Sequence, residues 1–124
     1  MGGDWQRFCR GAGLMVDGDQ VAVALDDGRR HSVAVSEDSD GYRLAAIVAR
    51  PAVLSRMVDA PIRIWRRNRE VQLVGFRIDR RGRLAAEAWV PKPGLSSEEF
   101  QLYLRSVAAE ADRFEFVLTG RDVE

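Results

Sequence analysis

A chain of 124 residues is long enough for one hydrophobic core and too short for two, so we expect a single domain over residues 1–124. Its 19 basic and 19 acidic residues balance, which gives no overall attraction to nucleic acid or anionic lipid. No apolar run approaches the roughly 20 residues of a membrane-spanning helix, and the amino-terminal residues MGGDWQRFCRGAG lack the apolar centre of a secretory signal. We therefore expect a soluble, cytoplasmic protein.

The first half of the chain predicts a short helix followed by an antiparallel meander. Residues 4–10 can form an amphipathic helix, which Gly11 and Gly13 would end. Alternating apolar residues then predict half-buried strands over residues 20–25, 30–36 and 42–49. The intervening residues 26–29 and 38–41 are rich in Asp and Gly, which favour tight turns. The sequence therefore predicts a three-strand meander.

The middle of the chain predicts two short helical segments and a hairpin. Pro51 suits the first turn of a helix, and apolar residues follow it at helical spacing as far as Val58. Pro61 marks a break, so residues 60–67 form either a second helix or a kinked continuation of the first, and Asn68 is predicted to end it in a left-handed conformation. Residues 71–78 and 83–90 read as strands joined by a turn that contains Gly82.

The last third carries the strongest helix signal. Ser96 and Glu99 have the spacing of a capping box, in which each side chain bonds the backbone N–H of the other residue. The apolar residues that follow lie on one helical face: Phe100, Leu104, Val107, Ala111, Phe114 and Leu118. Gly120 is predicted to be the left-handed residue after the helix. The order α-βββ-α-ββ-α indicates an α+β domain with helices packed on an antiparallel sheet.

Few residues are suited to catalysis or metal binding. His31 and Cys9 are the only residues of their types, so the sequence offers no metal-ligand pattern and no set of nucleophile, base and orienting residue. We interpret His31 as a surface residue of a strand. The aspartates at 17, 19, 26 and 27 lack the glycine and distal glutamate of an EF-hand, and we assign them to turns. We therefore predict no catalytic residue, no metal ligand and no cofactor.

The region from residue 65 to residue 122 carries a family resemblance. Its features are Asn68 after an amphipathic helix, the strand end Phe76-x-Ile78-Asp79, the turn at Gly82, a strand that ends in Pro91, the motif Leu-Ser-x-Glu-Glu-Phe over residues 95–100, and the pair Ala111-Asp112. In these features the chain resembles the YbjN-like domains and, more distantly, the type III secretion chaperone-like (Tir chaperone) fold.

The resemblance implies a non-enzymatic, chaperone-like module that forms a homodimer and holds or regulates another protein. Proteins of this fold associate through the middle helix and its neighbouring strand, which here implicates Ile62, Trp65, Phe76 and Trp89. A core position is the alternative for Trp65, because its spacing from Ile62 is also typical of a buried helix face. An exposed edge strand would offer a second means of association, by strand addition of an extended peptide.

An arginine-rich segment suggests a different function. Residues 63–83 contain eight arginines and only two acidic residues, Glu70 and Asp79. The alternative function is nucleic-acid binding, with the following anion contacts: Arg63, Arg66, Arg67, Arg69, Arg80, Arg81 and Arg83. Pairing with acidic regions of the same chain or of a second subunit also accounts for the segment. The sequence leaves both interpretations open.

Overall fold

The computed structural model describes residues 4–26 and 28–119. Its strands are β1 (Leu14–Asp17), β2 (Gln20–Ala24), β3 (Arg30–Glu37), β4 (Gly41–Ala49), β5 (Gly75–Ile78) and β6 (Leu84–Pro91). A 3-10 helix precedes them over Asp4–Cys9, and the α-helices are α1 (Pro51–Leu54), α2 (Ala60–Glu70) and α3 (Ser97–Thr119). None of the helices within this part of the chain combines the length and hydropathy needed to cross a membrane.

The strands form one six-stranded antiparallel sheet in the order β1-β2-β3-β4-β6-β5. The predicted α+β architecture, with helices on an antiparallel sheet, is confirmed. The meander contains one strand more than the sequence predicted, because the chain turns at Gly18, where φ is 65°. This hairpin pairs β1 with β2 from Asp17 opposite Gln20 to Leu14 opposite Val23. Asp19 lies in this turn, as predicted, whereas Asp17 is the last residue of β1, a strand that the sequence pattern did not predict.

The helical segments in the middle differ from the prediction in their ends. The first helix stops at Leu54, and α2 continues through Asn68 to Glu70. Asn68 is therefore not a left-handed cap, and no residue other than glycine has a positive φ among residues 4–26 and 28–119. The predicted strand over residues 71–78 is shorter and begins at Gly75. Tertiary contacts of Asn68, described below, account for this difference.

Helix α3 covers one face of the sheet, as its sequence predicts. The Ser96 N–H donates to Glu99 Oε1 and the Glu99 N–H donates to Ser96 Oγ, both at 3.1 Å, so the capping box is confirmed. Five members of the predicted stripe, from Phe100 to Phe114, are no more than 2% exposed. Leu118 is partly buried against the same core. Gly120, the predicted residue after the helix, lies outside the described residues.

Two groups of aromatic rings anchor the two halves of α3. Phe100 contacts Trp5, Phe8 and Tyr42, with ring centroids 5.4 to 6.2 Å apart. This contact ties the 3-10 helix to the beginning of α3. Near the other end, Phe114 contacts Phe76 of β5 at 4.9 Å. The helix is thus held at both ends by large apolar surfaces.

Candidate protein-binding surfaces and a polar cluster

Helix α2 presents an exposed apolar face. At 3.6 residues per turn, Ile62 and Trp65 lie on the side opposite Ala60 and Ile64, which face the core. Ile62 is 55% and Trp65 58% exposed, so the core alternative for Trp65 is wrong. The Arg69 guanidinium lies over the Trp65 ring, 4.9 Å from its centroid. This arrangement leaves two large apolar side chains in solvent, with a cation stacked beside them.

The other two residues implicated in association occupy different environments. Phe76 is 4% exposed and packs on Phe114, so its side chain belongs to the core of this chain. Trp89 is 46% exposed and projects from β6 on the sheet face opposite α3. A Cβ at Gly41 would lie 2.8 Å from the Trp89 ring, so the indole rests directly on the β4 backbone. Of the four residues implicated in association, Ile62, Trp65 and Trp89 therefore lie at the surface and Phe76 does not.

Five of the eight arginines in the arginine-rich segment contact other groups of the same chain. Arg67 contacts Glu70 and Glu110, and Arg83 contacts Asp79 at 2.8 Å. Arg77 donates to Glu87 at 2.8 Å. Arg63 donates to the Val117 carbonyl and Arg69 stacks on Trp65. Within residues 4–26 and 28–119, no ion pair involves Arg66, Arg80 or Arg81, and all three are exposed.

The β5 edge of the sheet is closed by a side chain. Asn68 Nδ2 donates to the Phe76 carbonyl at 3.0 Å, and the Phe76 N–H donates to Asn68 Oδ1 at 2.7 Å. The Asn68 amide therefore satisfies both the N–H and the C=O of Phe76, in the middle of the edge strand β5. Because Asn68 belongs to α2, these bonds also fix that helix beside β5.

The β1 edge is open. The Ala24 N–H donates to the Gly13 carbonyl at 2.8 Å, and hydrogen-bonded pairs alternate along an antiparallel ladder. Met15 therefore directs its backbone groups toward β2, and Leu14 and Val16 direct theirs away from the sheet. In the part of the chain that the structure describes, no hydrogen bond reaches these outward groups. Gln6 of the 3-10 helix instead donates to the Gly18 carbonyl, at the hairpin end.

A polar cluster lies where α3 passes over β3, and the sequence analysis missed it. Potential ligand atoms of His31, Asp112 and Glu115 all lie within 4.8 Å of one another. His31 is half-buried in contact with α3, so its interpretation as a plain surface residue is wrong. The sequence held one signal: Asp112 and Glu115 are three apart on the last helix, which places both on one side. Their nearness to residue 31 is a tertiary contact that spacing does not reveal.

The fold and these surfaces define a class of protein: an α+β domain with helices packed on a six-stranded antiparallel sheet. A chain of the structure entitled "Crystal Structure of the ExsC-ExsE Complex" shares this fold, with a TM-score of 0.50 and 19% sequence identity. The alignment covers 85% of this chain and 80% of that chain.

A family model then places the chain more narrowly. The YbjN model, described as "Putative bacterial sensory transduction regulator", matches residues 9–119. The chain therefore belongs to the YbjN family, as its resemblance implied. A search of curated proteins found no significant match.

Proposed function

We propose that this protein is a non-enzymatic, chaperone-like module that forms a homodimer through the outer face of α2 and holds an extended segment of another protein. The observation that carries the proposal is the exposure of Ile62 and Trp65 on one helical face. A soluble domain gains free energy by burying such a pair against a partner surface, and Trp is enriched at the centres of interfaces.

A second copy is the occupant that best suits the α2 face. Two-fold association brings identical faces together, so the Trp65 ring of one subunit can pack against Ile62 of the other. Exposed Arg66 borders this face and Glu70 lies one turn further along, which offers opposite charges at the rim of an antiparallel helix pair. Membership of the YbjN family and the chaperone-like fold support protein binding as the general activity.

The open β1 edge supports an extended segment as the form of the held partner. The outward N–H and C=O groups of Leu14 and Val16 can pair with the backbone of an added strand. Met15 is 57% exposed beside them and can contact the added side chains. Nucleic-acid binding is the less favoured function, because four of the seven arginines implicated in it already have contacts within the chain: Arg67 and Arg83 pair with carboxylates, Arg63 donates to a backbone carbonyl, and Arg69 stacks on Trp65.

The dimer is tested by sedimentation velocity over a concentration series. The double variant Ile62→Glu with Trp65→Glu should weaken self-association by at least about 30-fold, because it removes two central contacts and would bury charge in the interface. The matched control is Met15→Glu, which changes a side chain of similar exposure at the opposite edge. A wild-type protein that stays monomeric, or equal weakening by Met15→Glu, would contradict an α2 interface.

The binding mode is tested once a partner segment has been identified by co-purification and prepared as a peptide. Hydrogen exchange on the complex should show new protection at the amides of Leu14 and Val16, because an added strand accepts their hydrogen bonds. Protection confined to α2 or β6 would contradict strand addition at β1.

A further inference from the structure

The polar cluster between β3 and α3 has the composition and arrangement of a metal site. His31 Nδ1 lies 3.9 Å from Asp112 Oδ1, which is too long for a hydrogen bond. Two ligand atoms of one tetrahedral ion, each at about 2.0–2.2 Å from it, lie about 3.3–3.6 Å apart. The observed separation exceeds this range by only a few tenths of an ångström, so a small movement of the side chains lets both atoms bind one ion, and Glu115 supplies a third ligand atom within 4.8 Å of the other two.

The surroundings of the cluster orient two of its ligands independently. His31 Nε2 lies 2.9 Å from the Ile47 carbonyl, a contact that requires the proton on Nε2 and leaves the Nδ1 lone pair directed at the carboxylates. Arg29 contacts Oδ2 of Asp112, so the oxygen nearer to His31 is Oδ1. Metal-ligating histidines and carboxylates are held by such outer contacts.

Arg29 is itself fixed in place. Its guanidinium lies over the Phe116 ring, 3.6 Å from the centroid. This stacking holds the cation beside Oδ2, so Arg29 orients the Asp112 carboxylate through that oxygen.

The cluster is accessible to solvent. A cleft of about 400 Å³ opens beside His31 and Glu115, between the end of α3 and the α1 region. A second cleft of about 410 Å³ reaches Asp112 from the other side. An ion can therefore enter, and water can complete its coordination, as in three-ligand protein sites.

We propose that His31, Asp112 and Glu115 bind one divalent first-row transition metal ion, of the Zn²⁺ type. One imidazole and two carboxylates are ligands that suit such ions better than Ca²⁺ or Mg²⁺, which prefer oxygen alone. The bound ion joins β3 to the second half of α3 and adds a cross-link near the end of the helix. This site is separate from the α2 face and the β1 edge, so it stands or falls independently of the proposed function.

The test uses untagged full-length protein titrated with Zn²⁺ by calorimetry and with Co²⁺ by visible absorption. We expect one ion per chain, and His31→Gln and Glu115→Gln should each weaken binding by at least about tenfold. Gln at position 31 retains an N–H that can reach the Ile47 carbonyl, and Glu115→Gln keeps the size of the side chain. Glu115 is only half-buried and lines the cleft near the end of α3, so its variant is informative even if His31→Gln fails to fold.

Two control variants separate this site from other binding. Glu98→Gln changes an exposed acid in the first turn of the same helix and should leave the affinity unchanged. Cys9→Ser should also leave it unchanged, because burial raises the pKa of the Cys9 thiol to about 11 and keeps it protonated. Absence of saturable Zn²⁺ binding, or equal affinity in wild type, His31→Gln and Glu115→Gln, would overturn the proposal.

Discussion

The two edges of the sheet differ in the hydrogen bonding of their outward backbone groups. At β5, the Asn68 side chain occupies both backbone groups of Phe76, and α2 stands beside the strand. At β1, the outward backbone groups of Leu14 and Val16 have no hydrogen-bond partner within residues 4–26 and 28–119. Unpaired strand edges invite pairing with other chains, and proteins usually protect them. The difference is consistent with the proposed binding of a partner segment at the β1 edge.

The sealed edge depends on a chemical match. A carboxamide carries a donor and an acceptor, which are the two groups that a strand residue presents at an edge. Helix α2 brings this amide to β5 and is held there by Arg67, which reaches Glu110 and lies 5.4 Å from the Phe114 ring centroid. The outer face of α2, with Ile62 and Trp65, is therefore presented by a helix whose inner face is fixed.

The largest effect is expected from breaking the sealed edge. Asn68→Ala leaves the Phe76 N–H and C=O without their partners, and Phe76 is buried. We expect the free energy of unfolding to fall by about 1–3 kcal/mol, the usual cost of unsatisfied polar groups. Urea denaturation followed by circular dichroism measures this change.

Arg80→Ala serves as the control, because Arg80 is exposed in the turn after the same edge strand and lies outside the proposed α2 interface. It should change the free energy of unfolding by no more than about 0.5 kcal/mol. If both variants lose the same stability, the amide does not protect the edge. Increased self-association of Asn68→Ala alone would show that the freed edge behaves as the β1 edge is proposed to behave.

A smaller effect on stability is expected from proline substitutions in β1. Some residues of this strand direct their backbone groups toward β2, and the residues between them direct theirs outward. Proline at position 15 removes an N–H that faces β2, whereas proline at position 16 removes one that faces outward. Met15→Pro should cost at least about 1 kcal/mol more than Val16→Pro, each measured against the alanine variant at the same position. Val16→Pro should nevertheless reduce binding of an extended partner segment. Equal losses of stability would mean that the assigned hydrogen-bonding pattern of β1 is wrong.

The smallest effect concerns the turn next to the sealed edge. The backbone N–H of Arg83 donates to Asp79, as do the Arg83 side chain and the Arg81 N–H, and these bonds lower the pKa of that carboxyl below its ordinary value of 3.8. The Asp79 carboxylate therefore binds a proton more readily in the unfolded chain than in the folded protein. The stabilisation is therefore complete above the ordinary pKa and is lost as the pH falls below it.

Asp79→Asn should flatten this part of the dependence of stability on pH. Urea midpoints measured from neutral pH down to below 3.8 should fall less steeply in the variant than in the wild type. Identical slopes would show that Asp79 does not contribute to the dependence of stability on pH. The same logic applies to Asp38, whose pKa is lowered chiefly by the backbone N–H groups of Asp40 and Gly41.

Local chemistry explains which expectations the structure confirmed. The capping box at Ser96 and the stripe from Phe100 to Phe114 depend on residues within a few turns of one another, and both were predicted from spacing. Membership of the YbjN family was also predicted from the motifs after residue 65. The strand β1 was missed because four residues before a turn carry too little periodicity to be recognised.

The sequence by itself determined the long helix α3, the approximate positions of the other helices, most of the strands and the family, because turns, caps and apolar spacing act between neighbours in the chain. Only the tertiary structure decided that Asn68 closes an edge instead of ending a helix, that Trp65 is exposed while Phe76 is buried, and that His31 meets Asp112 and Glu115. These outcomes depend on which segments pack together, and that is set by burial over the whole core, which no local pattern encodes.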